Sequence, residues 1–188
     1  MLLRHLPNLL TILRIVMTPF VALAIAQSHY EAAFFLGAVA GATDGFDGWL
    51  ARRFHWTSRL GAILDPLADK PLVTLGYLAF GWTGLVPWWL VVLVVGRDVI
   101  ILVVAGIAVA FNRIRDFPPS RWGALSTIVQ LSAAGILLAA KSWPGSPLPW
   151  LVQPALWLVA LATAGSGVHY AWLTFTRLNG KAAPSDPK

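Results

Sequence analysis

Six runs of mostly apolar residues succeed one another along this 188-residue chain, at 11–28, 31–52, 61–81, 86–111, 121–141 and 150–176. Each is near the length of about 20 residues that carries an α-helix across the hydrocarbon core of a bilayer. Lipid offers no partner to a peptide N–H or C=O, so apolar runs of this length must satisfy their backbone internally, as a helix does. The predicted fold class is therefore all-α integral membrane, with six transmembrane helices. With 57% hydrophobic and 12% charged residues, no stretch remains for a soluble domain. Ahead of the first run, Leu2, Leu3, Leu6, Leu9 and Leu10 fall on one side of a helix whose other side carries Arg4 and His5, which predicts a short interfacial amphipathic helix. No small-residue cleavage site follows an early apolar core, so the first span is expected to be retained. A single membrane domain over 1–179 and a disordered tail over 180–188 complete the expected organisation.

Basic residues orient the spans. Arg4, the group Arg52, Arg53 and Arg59, the group Arg113, Arg115 and Arg121, and Arg177, Lys181 and Lys188 fall on one side of six threaded spans, and Lys141 falls opposite. An excess of Lys and Arg marks the cytoplasmic side, so both termini and the two basic connections are expected there, in a membrane of the bacterial inner-membrane type. The segments Gly81–Pro87 and Lys141–Pro149, rich in Gly, Pro and Trp, read as external loops with interfacial aromatic anchors. A net charge of +6 without a base-reading motif or a long basic tract favours anionic lipid and phosphate partners over nucleic acid. There are no cysteines, which removes disulfide and thiol chemistry.

Half of the eight acidic residues stand in one short segment, Asp44-x-x-Asp47-Gly48-x-x-Ala51-Arg52, eight residues, Gly61-x-x-x-Asp65-x-x-x-Asp69. At about 100° per residue, the first five of these lie within an arc of roughly 140° on one helix, and Gly61, Asp65 and Asp69 recur at four-residue steps on the next. Carboxylates within apolar spans are costly unless cations share the site. Four aspartates suffice to hold two divalent ions about 4 Å apart, and Mg²⁺ takes oxygen ligands and bridges to phosphate oxygens. Gly48, Ala51 and Gly61 leave room for close approach, and Arg52 offers a forked contact to a phosphate group. A solvated helix end, or a bundle in which aspartates pair with Arg52 or Lys70, would account for the charge but not for the glycines. A small membrane transporter or proton relay would also place aspartates within spans. His5, His29, His55 and His169 form no recognisable Ser–His pair and read as interfacial or packing residues.

The eight-position string resembles the signature of the CDP-alcohol phosphotransferase family without a departure. The similarity extends from the Leu6–Ile15 segment through Leu64–Lys70 to Gly96–Val99. It implies six transmembrane helices, a homodimer, and transfer of a phosphatidyl or similar group from a CDP-linked donor to an alcohol with release of CMP. It further implies that Asp44, Asp47, Asp65 and Asp69 bind two metal ions, Mg²⁺ or Mn²⁺. Gly48, Ala51, Arg52 and Gly61 would line the CDP site, and Asp69 would accept the proton of the acceptor alcohol.

Within that family, the N-terminal Pro7–Arg14 segment and Leu64–Lys70 look like the branch of phosphatidylglycerophosphate synthases and CMP-forming cardiolipin synthases. Arg97-Asp98 is nearer the cardiolipin side, while Ala124 stands where both sides carry a Lys. Fewer cations suit a phosphodiester better than a phosphomonoester dianion. The expected donor is thus CDP-diacylglycerol, the preferred acceptor phosphatidylglycerol, and the alternative acceptor glycerol 3-phosphate. Arg97 reads either as an acceptor-phosphate contact, with Arg14 and Arg113 as second contacts, or as half of an internal salt bridge with Asp98.

Overall fold

A computed structural model describes the backbone over residues 6–54, 59–110 and 121–178, and side chains over 12–43, 70–101, 103 and 122–172. Among the described residues six helices follow in order: α1 (Leu6–Ala26), α2 (Tyr30–Phe54), α3 (Arg59–Trp82), α4 (Trp88–Ala110), α5 (Arg121–Ser142) and α6 (Pro149–Leu178). They coincide with the six apolar runs, and the two predicted external loops appear at residues 83–87 and 143–148. One boundary differs. Residues 6–10, expected in a separate surface helix, are the opening turns of α1. Pro7 lies in that first turn, where the N–H it lacks would have no partner anyway, and nothing between it and Ile12 interrupts the helix. Residues 1–5 and the expected tail beyond Leu178 lie outside the described residues.

Two helix ends are closed by the same device. At the end of α3, the Leu85 N–H donates to the Phe80 carbonyl at 2.9 Å and the Gly84 N–H to that of Gly81 at 3.1 Å, with Gly84 at φ +70°. This is a Schellman cap, and glycine adopts its left-handed residue without a steric penalty. At the end of α1, the His29 N–H donates to the Ala24 carbonyl at 2.8 Å and the Ser28 N–H to that of Ile25 at 3.0 Å, but Ser28 takes the left-handed position, at φ 60°. Such caps turn the chain at once, so α1 and α2, and α3 and α4, form tight antiparallel pairs. Gly81 brings the second pair together, since a Cβ there would stand 3.0 Å from Val91 Cγ2.

Helix α1 packs against both α2 and α3, α5 against α2, α3 and α6, and α4 against α3 and α6. Arg14, Thr18, Val21 and Ile25 recur at steps of four and three along the buried side of α1, opposite Ala33 and Ala40 of α2, which are fully buried. The core continues through Val73, Tyr77 and Phe80 of α3 and Leu90, Val91 and Val94 of α4 to Leu137 of α5 and Val159 of α6.

The outer surface is apolar as well. Phe20, Val92, Ile100, Ile128, Leu161 and Val168 are exposed, and Trp82 and Trp150 are 80% and 86% exposed. A soluble protein rarely shows an apolar surface of this extent. Trp82, Trp88, Trp89, Trp143 and Trp150 cluster at the loop end of the bundle, while Trp122 and Trp172 mark the other end. Among the described residues, the stretches Trp122–Ser142 and Pro149–Trp172 are by length and hydropathy able to cross a membrane. At 1.5 Å per residue they are about 31 and 36 Å long, which matches a hydrocarbon core of about 30 Å flanked by interfacial tryptophans.

Candidate active site

All eight signature positions fall at one end of the bundle. Asp44, Asp47, Gly48, Ala51 and Arg52 occupy the last turns of α2, and Gly61, Asp65 and Asp69 the first turns of α3. Both segments are continuous helix, so the three- and four-residue spacings of the α2 set and the four-residue steps of the α3 set keep each on one helical face. Their side chains lie outside the described ones, as does Arg113 altogether. Among the described residues no group of three His, Asp or Glu side chains gathers. The candidate metal-ligating set read from the sequence is the four motif aspartates, whose all-oxygen character fits a hard divalent cation.

Immediately beyond the motif, the same two helices open onto a cleft. Gly41, three residues before Asp44, and Leu72, three residues after Asp69, line it together with Val21 and Ile25 of α1, Tyr77 and Phe80 of α3 and Leu138 of α5. The cavity volume is about 550 Å³, within the range of about 300–1,000 Å³ that accommodates small-molecule ligands. Three of its glycines, Gly41, Gly76 and Gly135, have nothing within 4 Å of where a Cβ would be. They hold space open instead of bringing helices into contact.

On the other side of α3 stands a buried charged cluster. The Arg97 Nη1 donates to Asp98 Oδ1 at 2.6 Å, and Lys70 Nζ lies 3.6 Å from the same oxygen. The Arg97 Nη2 donates to Ser166 Oγ at 2.5 Å, and its guanidinium lies 5.8 Å from the Tyr170 ring centroid. Gly123 makes room for this arrangement: a Cβ there would come within 3.1 Å of the Tyr170 hydroxyl and 3.3 Å of Arg97 Nη2. Arg97 and Asp98 are 8% and 6% exposed, so the internal ion pair is formed. Arg14 is equally buried, on α1, where Thr18 Oγ1 donates to its carbonyl.

Deeper in the bundle, Gln130 Nε2 donates to Thr163 Oγ1 at 2.9 Å and to Ser126 Oγ at 3.3 Å, and the Tyr77 hydroxyl donates to the Gln130 carbonyl at 3.1 Å. These bonds tie α3, α5 and α6 together beneath the charged cluster. Sequence reasoning missed Ser166, Thr163, Gln130 and Tyr170; the available signal was the recurrence of Thr163, Ser166 and Tyr170 at steps of three and four on α6, and of Ser126 and Gln130 four apart on α5. His169 sits between Trp122 and Trp172, with ring centroids 6.3 and 6.4 Å away, in the packing role expected of it.

Comparison with known proteins extends the likeness over most of the chain. The family model described as CDP-alcohol phosphatidyltransferase matches residues 4–166, a region that includes every signature position. A Mycobacterium tuberculosis protein named "Probable phosphatidylglycerophosphate synthase" is 36% identical over 172 residues, covering 88% of this chain and 79% of the relative. A Drosophila melanogaster protein named "Probable cardiolipin synthase (CMP-forming)" is 35% identical over 184 residues, covering 87% of this chain and 56% of the relative. The Homo sapiens "Cardiolipin synthase (CMP-forming)" is 35% identical over 116 residues, covering 61% of this chain and 37% of the relative. Signature, helical framework and matched region agree, and the chain belongs to the CDP-alcohol phosphatidyltransferase family.

Proposed function

We propose that the protein is a six-span membrane enzyme of phospholipid biosynthesis that transfers a phosphatidyl group from CDP-diacylglycerol to phosphatidylglycerol, releasing CMP and forming cardiolipin. The observation that carries this reading is the location of the signature, inside the matched region and at the helix ends that open onto the apolar cleft. A nucleotide-linked lipid needs both: polar recognition of its headgroup at the membrane surface and an apolar path for its chains. Transport, the competing class, receives no support from the family to which the chain belongs.

In this reading Asp44, Asp47, Asp65 and Asp69 would hold two divalent ions, Mg²⁺ or Mn²⁺, which supply positive charge to the diphosphate when bound. Gly48, Ala51 and Gly61 give the cytidine diphosphate close access to the helices, and Arg52 donates to its phosphate oxygens. Asp69 accepts the proton of the acceptor hydroxyl as that oxygen attacks phosphorus, which an alcohol at neutral pH does poorly unaided. The cleft takes up donor acyl chain beside the reacting phosphate. Arg97, Arg14 and Arg113, together with Lys70, are the acceptor-side cations. The basic connections support a cytoplasmic orientation for this end, and a homodimer is the expected assembly.

Glycerol 3-phosphate is the second reading for the acceptor, favoured by the mycobacterial relative's name and its coverage of this chain. Purified protein given CDP-diacylglycerol and either acceptor side by side separates the two. The proposal expects faster CMP release with phosphatidylglycerol and cardiolipin as product. A clear preference for glycerol 3-phosphate replaces the first acceptor with the second.

A further inference from the structure

The cluster between α3, α4 and α6 contains two cations and one anion, and both cations share a single oxygen of Asp98. Counted over these three side chains its formal charge is +1, and the neutral Ser166 and Gly123 stand beside it among the described residues. An excess charge away from bulk water is costly unless it faces a counter-ion. The three charged side chains are not equally available to one. Those of Arg97 and Asp98 are 7% and 8% exposed, with Arg97 Nη1 and Nη2 committed to Asp98 and Ser166. Lys70 is 26% exposed and stands off from Asp98 at 3.6 Å, so most of its hydrogen-bonding capacity remains open. It also directly follows Asp69 on α3.

Resting on the phosphatidyltransferase reading above, we propose that Lys70 is the direct contact for the phosphate carried by the acceptor, and that Arg97 and Asp98 are positioning residues that hold its ammonium in place. Asp98 fixes one side of the Lys70 charge, and Arg97, locked by Ser166 and cradled by Gly123 and Tyr170, fixes Asp98. The remaining valence of the ammonium takes a phosphate oxygen of the acceptor, which brings the acceptor's hydroxyl to the α3 residue that precedes Lys70. Both candidate acceptors carry that oxyanion, as a diester in phosphatidylglycerol and as a monoester in glycerol 3-phosphate. An ammonium reads charge without the planar fork that selects a particular ester geometry, so Lys70 serves either.

The test is steady-state kinetics of the full-length enzyme in detergent with CDP-diacylglycerol and, in separate arms, phosphatidylglycerol and glycerol 3-phosphate. Lys70→Met and Lys70→Gln are expected to raise KM for whichever acceptor the wild type uses by about tenfold or more, while KM for CDP-diacylglycerol stays within twofold. Lys70→Arg, which keeps the charge, is expected to stay within about threefold of wild type and to melt near the wild-type temperature, while Lys70→Met and Lys70→Gln, which leave Asp98 with Arg97 alone, remain folded at the assay temperature but melt somewhat lower. Equal rises in both KM values, a loss confined to kcat, or failure of Lys70→Arg to restore the acceptor KM overturns the assignment. If wild-type protein releases no CMP with either acceptor, the underlying functional reading fails as well; an active wild type with unaffected Lys70 variants overturns this inference alone.

Discussion

Replacing Arg97 by Met tests whether the charged cluster holds the bundle together. In the folded protein Asp98 is attracted to Arg97 at 2.6 Å and to Lys70 at 3.6 Å. With an effective dielectric constant of about 20, these gross attractions are about 6 and 5 kcal/mol, so removing Arg97 forfeits slightly more than half. The Ser166 bond and the contact with the Tyr170 ring go with it. Breaking a buried pair by deleting one partner costs about 3–5 kcal/mol net, and the surviving Lys70 interaction places Arg97→Met at the low end, about 3 kcal/mol. For a chain of this size that corresponds to a fall of about 6–12 °C in the melting temperature, measured by thermal unfolding in detergent. The double variant Arg97→Met with Asp98→Leu should recover most of the loss, because it removes the stranded carboxylate and leaves Lys70, 26% exposed, free to reach water. An unchanged melting temperature for Arg97→Met, or a double variant as unstable as the single one, refutes this account.

Four further outcomes are expected. Asp44→Asn, Asp47→Asn or Asp65→Asn should abolish CMP release while the protein remains folded in detergent, and chelation of divalent ions should do the same to the wild type; full activity in chelator contradicts the shared cation site. Asp69→Asn should retain CDP-diacylglycerol binding in Mg²⁺ while turnover falls by about 10² or more, whereas equal losses of binding and rate would make Asp69 chiefly a ligand. Gly76→Leu should raise KM about tenfold for long-chain CDP-diacylglycerol and little for a short-chain analogue, because its side chain enters the open cleft; an effect independent of chain length separates the cleft from the donor. Ser28→Gly should raise the melting temperature by about 2–4 °C, since it relieves roughly 1 kcal/mol of left-handed strain at the α1 cap, and no gain would show the strain to be absent.

The helices were legible because each is written as an uninterrupted apolar run ended by Gly, Pro or polar residues. Gly84 shows this well: a glycine after an apolar run marks the α3 cap in the sequence and in the structure. Ser28 does the same work at α1 without announcing it, because a serine in the left-handed region is chosen by the surrounding turn and not by its own preference. The N-terminal segment misled for the opposite reason. Its leucines satisfy the periodicity of an interfacial helix, but periodicity does not reveal whether that helix continues into the next one, and from Leu6 onward it does.

The candidate site divides along the same line. Asp44 to Asp69 stand out as a candidate set from spacing alone, since helical repeat fixes which residues share a face within each of the two segments. The proposed acceptor side could not, because the geometry of its cluster depends on contacts between helices far apart in sequence: Lys70 with Asp98, and Arg97 with Ser166 some 69 residues away. Arg97 attracted attention as the conspicuous cation within an apolar run, yet burial has committed two of its three nitrogens to its neighbours. Lys70, which directly follows the signature and reads in the sequence as a partner for aspartates, is the cation of this cluster with donors to spare. A charge in an apolar span signals that a partner exists, and only the packing of the other helices says whether that partner is the protein or its substrate.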